Sequence, residues 1–143
     1  MMTFNVRVYG ILINNKNQVL LSDETIRGKF YTKFPGGGLE IGEGTRDCLK
    51  REFLEEMNLP VEVREHFYTT DFYQQSAFNP EHQIISVYYH VEAKQHIDLE
   101  KINAQEETEE SFRFIDLSAF SEEDVSLPID KVVARKLTEW HRR

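Results

Sequence analysis

Between Phe34 and Pro60 the chain changes character twice, and those changes constrain its fold more than any other stretch. Phe34-Pro35-Gly36-Gly37-Gly38 is too dense in Gly and Pro for a helix or a strand and reads as a loop. Thr45 to Met57 then runs without a breaker, with Leu49, Phe53 and Met57 at four-residue steps, which predicts a helix with one apolar stripe. Asn58-Leu59-Pro60 stops it. A stripe of this kind must pack on a sheet, and the flanking segments read as its strands.

Phe4 to Ile13 alternates with both faces partly apolar, Asn14-Asn15-Lys16-Asn17 is turn chemistry, and Gln18 to Ser22 reads as the returning strand. Asp23 to Lys33 is polar and reads as irregular. Val61 to Gln74 and Gln83 to Ala93 are rich in aromatic and β-branched residues, with a hairpin tip at Ser76 to His82 between them. A short strand is expected at Phe112 to Ile115, after the acidic run Glu106 to Glu110. Ile129, Val132, Val133, Leu137 and Trp140 mark one face of a C-terminal helix with a Pro near its start. The order β–β–loop–α–β–β–β–α predicts an α/β (α+β) fold, a mixed β-sheet with helices packed on it.

A length of 143 residues suits one domain, 1–143, and 40% hydrophobic against 29% charged residues allows a packed core. Asp and Glu number 25 against 17 Lys and Arg, a formal charge of −8. That balance argues against binding long nucleic acids, and it means that a phosphate-bearing partner would need a metal ion to approach. Cys48 is the single cysteine, so no internal disulfide forms, which suggests an intracellular protein. The N-terminal residues show no charged leader followed by an apolar block, and no apolar run nears the ~20 residues of a membrane helix. The expectation is a cytoplasmic protein without membrane contact.

On the helix, Glu52, Glu55 and Glu56 stand at i, i+3 and i+4, so their carboxylates share one face. Like charges so placed destabilise a bare helix by roughly 0.2–0.5 kcal/mol per pair. A divalent cation reverses that sign, because Mg²⁺ takes hard oxygen ligands and is held by a few carboxylates together with substrate phosphates. Solvated glutamate-rich faces are common, so three glutamates alone do not decide the matter; the wider spacing does. Gly37, five residues, Glu43, seven residues, Arg51-Glu52-Phe53, one residue, then Glu55-Glu56 resembles the box of the Nudix hydrolase family. The six of these residues other than Phe53, at average usage, align by chance about once in ten million windows. Phe34 to Glu40 also resembles the family's approach to the box. The pattern departs at Asn58, where the family usually has Gly; Asn is the best substitute in a left-handed position after a helix end.

The resemblance implies a Nudix-type α/β/α sandwich and hydrolysis of a nucleoside diphosphate linked to another group, with Mg²⁺ as cofactor or Mn²⁺ in its place. By the same resemblance Glu52 and Glu56 match the main metal ligands, Glu55 a ligand or a base acting through water, and the Gly36 carbonyl a backbone ligand. Arg51 orients the carboxylates, with Glu43 as its partner. The general base varies in this family, so Glu106, Glu107, Glu109 and Glu110 are candidates, Glu107 foremost. Gly37 and Gly38 let backbone approach the substrate. From their place just before the glycine loop, Arg27 and Lys29 are candidate phosphate contacts, with a solvated loop as the equal alternative. Water attacks phosphorus while charge on the diphosphate is neutralised.

The alternative from another class is a Nudix-fold nucleotide-binding sensor or scaffold without hydrolysis, which erosion of the glutamates would mark; Arg51, Glu52, Glu55 and Glu56 are all present. A prenyl-diphosphate isomerase ranks low because Cys48 has no second cysteine beside it, and an RNA-decapping role ranks low on the charge. Tyr73 to Ala77 lacks the Pro expected of the ADP-ribose group, and the segment before Phe34 does not resemble the coenzyme A group. Nucleoside triphosphates, dinucleoside polyphosphates and nucleotide sugars stay open as substrates, and a homodimer is compatible with the fold. Cys48 reads as a small packed residue rather than a redox switch. The five histidines show no ligand spacing.

Overall fold

Phe53 lies across Gly10, and that contact fixes how the helix sits on its sheet. A Cβ on Gly10 would stand 2.8 Å from the Phe53 ring and 3.2 Å from Val91 Cγ2, so only glycine lets the ring come down onto the strand. The computed structural model describes residues 1–105 and 109–142. They divide into two compact units, Met1–Ile11 with Gly36–Gln95, and Leu12–Pro35 with His96–Arg143.

The first unit holds a four-stranded sheet in the order β4-β1-β6-β5, formed by β1 (Thr3–Leu12), β4 (Gly36–Gly38), β5 (Val61–Thr69) and β6 (His82–Ala93), with helix α1 (Thr45–Met57). β4 runs antiparallel to β1, and β5 antiparallel to β6. β1 and β6 run the same way: Thr3 N–H donates to the Glu81 carbonyl at the start of both, and Gly10 meets Val91 near the end of both. The sheet is therefore mixed. Leu49, Phe53 and Met57 are all buried, as their four-residue spacing predicts. The expected strand from Val61 ends at Thr69, and irregularities on either side of His66 shift its register. At the tip, the Ser76 hydroxyl accepts from the N–H groups of Phe78 and Asn79.

The second unit holds a three-stranded antiparallel sheet in the order β3-β2-β7, formed by β2 (Gln18–Ile26), β3 (Lys29–Lys33) and β7 (Glu110–Asp116). Two short elements that the sequence pattern did not suggest, α2 (Leu99–Asn103) and a 3₁₀ turn at Glu122–Asp124, precede and follow β7. Helix α3 (Pro128–His141) has its Pro in the first turn and buries Ile129, Val133, Ala134 and Leu137, but Trp140 is 45% exposed and falls off the expected face.

Two further expectations are corrected. The polar segment Asp23 to Lys33 is not irregular but a hairpin, closed between Ile26 and Lys29 by Arg27 (φ 51°) and Gly28 (φ 80°). Two successive left-handed residues make the turn that matches strand twist, and Arg in place of the usual Asn or Asp hides it. Its polar residues are spent across the sheet: Asp23 accepts from Thr32 Oγ1 and from Arg113 Nε, each at 2.6 Å, and Lys33 lies 3.8 Å from Glu24 and 3.7 Å from Glu110. Gly36 to Gly38 is not a loop but the edge strand β4, because pairing with β1 is made by backbone alone. Among the described residues, no helix is long and apolar enough to cross a membrane.

Candidate active site

The site is built on β4. Gly36 has φ 152°, and a Cβ there would run into the Val8 carbonyl and the Tyr9 backbone, so the chain can pass only as glycine. On Gly37 a Cβ would fall onto the Glu52 carboxylate, which rests against the bare backbone. Gly38 offers its carbonyl to Arg51 Nη2 at 3.0 Å. The chain then turns through Gly42 (φ 92°), and Glu43 closes the turn by accepting from the Glu40 N–H at 3.0 Å. Helix α1 follows with Gly44 at its N-cap.

Arg51 gathers the acidic groups. Its Nε and Nη2 donate to the two oxygens of Glu43 at 3.0 and 2.7 Å, the pair expected from the sequence. Its Nη1 donates to Glu52 at 3.0 Å and to Glu55 at 3.1 Å, and lies 3.7 Å from Glu40. The guanidinium thus relieves the repulsion between Glu52 and Glu55 at i and i+3. The hydrogen bonds from Arg51 hold the Glu43 carboxyl at about 2, with the backbone bond at Glu40 adding to the effect. Glu43 in turn raises the Arg51 guanidinium above its ordinary value. Burial, with Glu43 nearby, pushes the Cys48 thiol up to about 12, so it stays protonated, donating to the Gly38 carbonyl at 3.5 Å. That suits a packed residue and not a reactive thiolate.

The carboxylates differ in setting. The Glu52 side chain is 13% exposed and that of Glu55 is 58% exposed, while Glu56 Oε2 is buried. Among the described residues, no three His, Cys, Asp or Glu side chains gather closely enough to cage a metal. Glu52 and Glu55 are arranged around Arg51 instead. The donors are nevertheless all hard oxygens, and the Gly37 backbone under the Glu52 carboxylate carries no side chain of its own. That chemistry fits Mg²⁺ or Mn²⁺, which rely on one or two carboxylates plus phosphate and water instead of a complete protein cage.

Gly36, Gly37, Gly38, Arg51, Glu52, Glu55 and Glu56 all lie in the first unit. Arg27 belongs to the second, exposed at the β2–β3 turn. Of the four acidic candidates for a base, Glu106 and Glu107 lie outside the described residues, and Glu109 is exposed. Glu110 sits in β7, accepting from the Ser22 hydroxyl at 2.5 Å. Sequence reasoning passed over Arg7 and Tyr9, whose one signal is that Arg7 is the single charged residue of β1 and lies half-buried within it.

The sequence profile of the NUDIX domain matches residues 3–141. No curated protein matches the chain in sequence comparison. Among solved structures, the chain is similar to the ORF135 protein of E. coli, with TM-score 0.72 and 16% identity over 98% of this chain and 92% of that one. It is similar to a NUDIX hydrolase from Nitrosomonas europaea, with TM-score 0.70 and 23% identity over 96% and 72%. It is also similar to a MutT protein from Methanosarcina mazei Go1, with TM-score 0.71 and 16% identity over 99% and 95%. At these identities the likeness is one of fold.

Proposed function

Because the chain belongs to the Nudix family of hydrolases acting on phosphoric anhydrides, we propose that it cleaves the diphosphate linkage of a small nucleotide, a nucleoside diphosphate joined to another group, with the help of Mg²⁺ or Mn²⁺. The observation that carries this reading is the Glu52 carboxylate lying on Gly37, one helical face shared with Glu55 and Glu56, and no β4 side chain to obstruct an incoming phosphate.

In this reading Glu52 and Glu56 hold the ion, together with the Gly36 carbonyl. When bound, the ion neutralises charge on the diphosphate and activates the attacking water. Glu55, the most exposed of the three glutamates, serves as a further ligand or takes a proton from water. Arg51 is a positioning residue: with Glu43 fixing its other edge, it sets where the Glu52 and Glu55 carboxylates stand. Gly37 and Gly38 supply backbone that a phosphate can approach closely.

The test is a screen of nucleoside triphosphates, dinucleoside polyphosphates and nucleotide sugars with Mg²⁺, reading released phosphate or pyrophosphate. Turnover on at least one class is expected, and it should vanish after exhaustive metal removal in excess EDTA and return with Mg²⁺. Full turnover in EDTA would overturn the metal assignment. Binding of a nucleotide without any product would instead make the protein a sensor.

A further inference from the structure

Arg7 stands on β1 directly across the ladder from Gly38. Its Nε donates to the Tyr9 hydroxyl at 2.8 Å, and its guanidinium carbon lies 5.8 Å from the centre of the Tyr9 ring. Nη1 is 3.5 Å from where a Cβ of Gly38 would stand. The guanidinium carries five N–H donors. Tyr9 engages the Nε donor, and among the described residues Nη1 and Nη2 make no hydrogen bond and no direct ion pair.

The surroundings are acidic. Burial alone would lower the Arg7 pKa, but the Tyr9 hydroxyl and the Glu52 and Glu56 carboxylates raise it, so the side chain stays charged beside the acidic face. A guanidinium serving only as counter-ion would be drawn into contact with those carboxylates, as Arg51 is. Arg7 is instead held back by Tyr9 with the two Nη groups of its fork open. The planar fork matches two oxygens of one phosphate, and a side chain already fixed loses little freedom on binding. The glycines of β4 place no side chain between the fork and the carboxylates.

We propose that Arg7 binds a phosphate group of the substrate, Nη1 and Nη2 donating to two of its oxygens while Tyr9 holds the guanidinium in place. The assignment rests on the diphosphate-hydrolase reading above and extends its site beyond the glutamate-bearing helix. Arg7 thereby adds to an acidic site the positive charge that the metal does not supply.

Titration calorimetry with inorganic pyrophosphate in saturating Mg²⁺, and separately with Mg²⁺ alone, tests it on the intact chain. Arg7→Ala should weaken pyrophosphate binding by at least about tenfold, the loss of one charge-assisted contact. Mg²⁺ alone should bind that variant equally well or more tightly, since a nearby positive charge is gone. Arg7→Lys keeps charge and stem but not the fork and should recover only part of the affinity; it also serves if the alanine variant does not fold. Tyr9→Phe removes the anchor alone and should weaken pyrophosphate less than Arg7→Ala does. Wild-type affinity in Arg7→Ala, full recovery by Arg7→Lys, or a loss matched by an equal loss of Mg²⁺ binding would each overturn the assignment. If the wild-type protein neither binds pyrophosphate with Mg²⁺ nor cleaves any compound of the screen, the diphosphate reading itself fails and takes Arg7 with it. Turnover with an unaffected Arg7→Ala variant sinks the Arg7 proposal alone.

Discussion

Glu56→Gln keeps the size and helix propensity of the side chain and removes one negative charge. Repulsion from Glu52, worth roughly 0.2–0.5 kcal/mol at this spacing, is relieved, while attraction from Arg7 is lost. The buried Oε2 no longer carries charge, so the metal-free melting temperature should stay level or rise slightly. Turnover with saturating Mg²⁺ should fall at least a hundredfold, comparable to losing a contribution of ~3 kcal/mol to the transition state. A variant that melts earlier yet turns over normally would make Glu56 a structural residue. The two neighbouring glycines allow a second separation of effects. In Gly37→Ala the new methyl meets the far end of the Glu52 side chain rather than backbone, and that end can swing aside, so stability should change by less than about 1 kcal/mol while turnover drops tenfold or more. In Gly36→Ala the methyl meets the Val8 carbonyl and Tyr9 backbone, which cannot swing, and the cost should be of the order of 1–3 kcal/mol or larger. Equal destabilisation by both, read by urea denaturation, would show that Glu52 is not free to move.

Helix α1 ends as its sequence leads one to expect. Asn58 takes φ 51° and ψ 36°, its N–H donates to the Leu54 carbonyl at 3.0 Å, and Leu59 is buried beyond it. The Asn58 side chain is exposed and makes no hydrogen bond among the described residues. Asn58→Gly should therefore raise stability by about 0.5 kcal/mol, with a higher denaturation midpoint and an unchanged m-value. A lower midpoint would reveal a side-chain contact in the native state. α1 is readable from sequence because its apolar residues recur with the helix period and its charges carry the spacing of their own chemistry. The Arg51–Glu43 pair is expected only through the resemblance to the Nudix box, since nothing in the spacing of the two residues states that they meet. β4 is not readable, since three glycines carry no face pattern and their pairing is decided by β1. Nor is the β2–β3 hairpin, where Arg27 accepts a left-handed conformation that the cross-strand pairs on either side impose. Arg7 escapes for a related reason: the register that sets it against Gly38 is a property of two strands, and neither strand's sequence states it.

For the molecule as a whole, an excess of 25 acidic over 17 basic residues makes the response to acid informative. Neutralising carboxylates at first relaxes the repulsion of a chain with charge −8, so stability lost on acidification comes from groups whose protonation the fold opposes: carboxylates held ionised, and His90, whose pKa burial lowers. Glu43 is the clearest of these, its pKa lowered from 4.5 to about 2 chiefly by the hydrogen bonds from Arg51. Between those values the folded chain binds fewer protons at Glu43 than the unfolded chain does, so unfolding takes up a proton and stability falls as pH falls. The contribution is whole above pH 4.5, declines through the window and is gone below about 2. Glu43→Gln removes the titrating group but keeps a side chain of the same length. The wild-type melting temperature should therefore exceed that of Glu43→Gln at neutral pH, and the gap should close as pH is lowered from 4.5 toward 2. The measurement is a pair of metal-free melting curves at each pH, so that ion release from neighbouring glutamates does not enter. A gap that stays constant across the window would mean that the Arg51–Glu43 pair is no stronger in the folded chain than carboxylate and guanidinium are apart. Arg51 would then have no fixed edge from which to position Glu52 and Glu55, and the site would have to be assembled by its substrate.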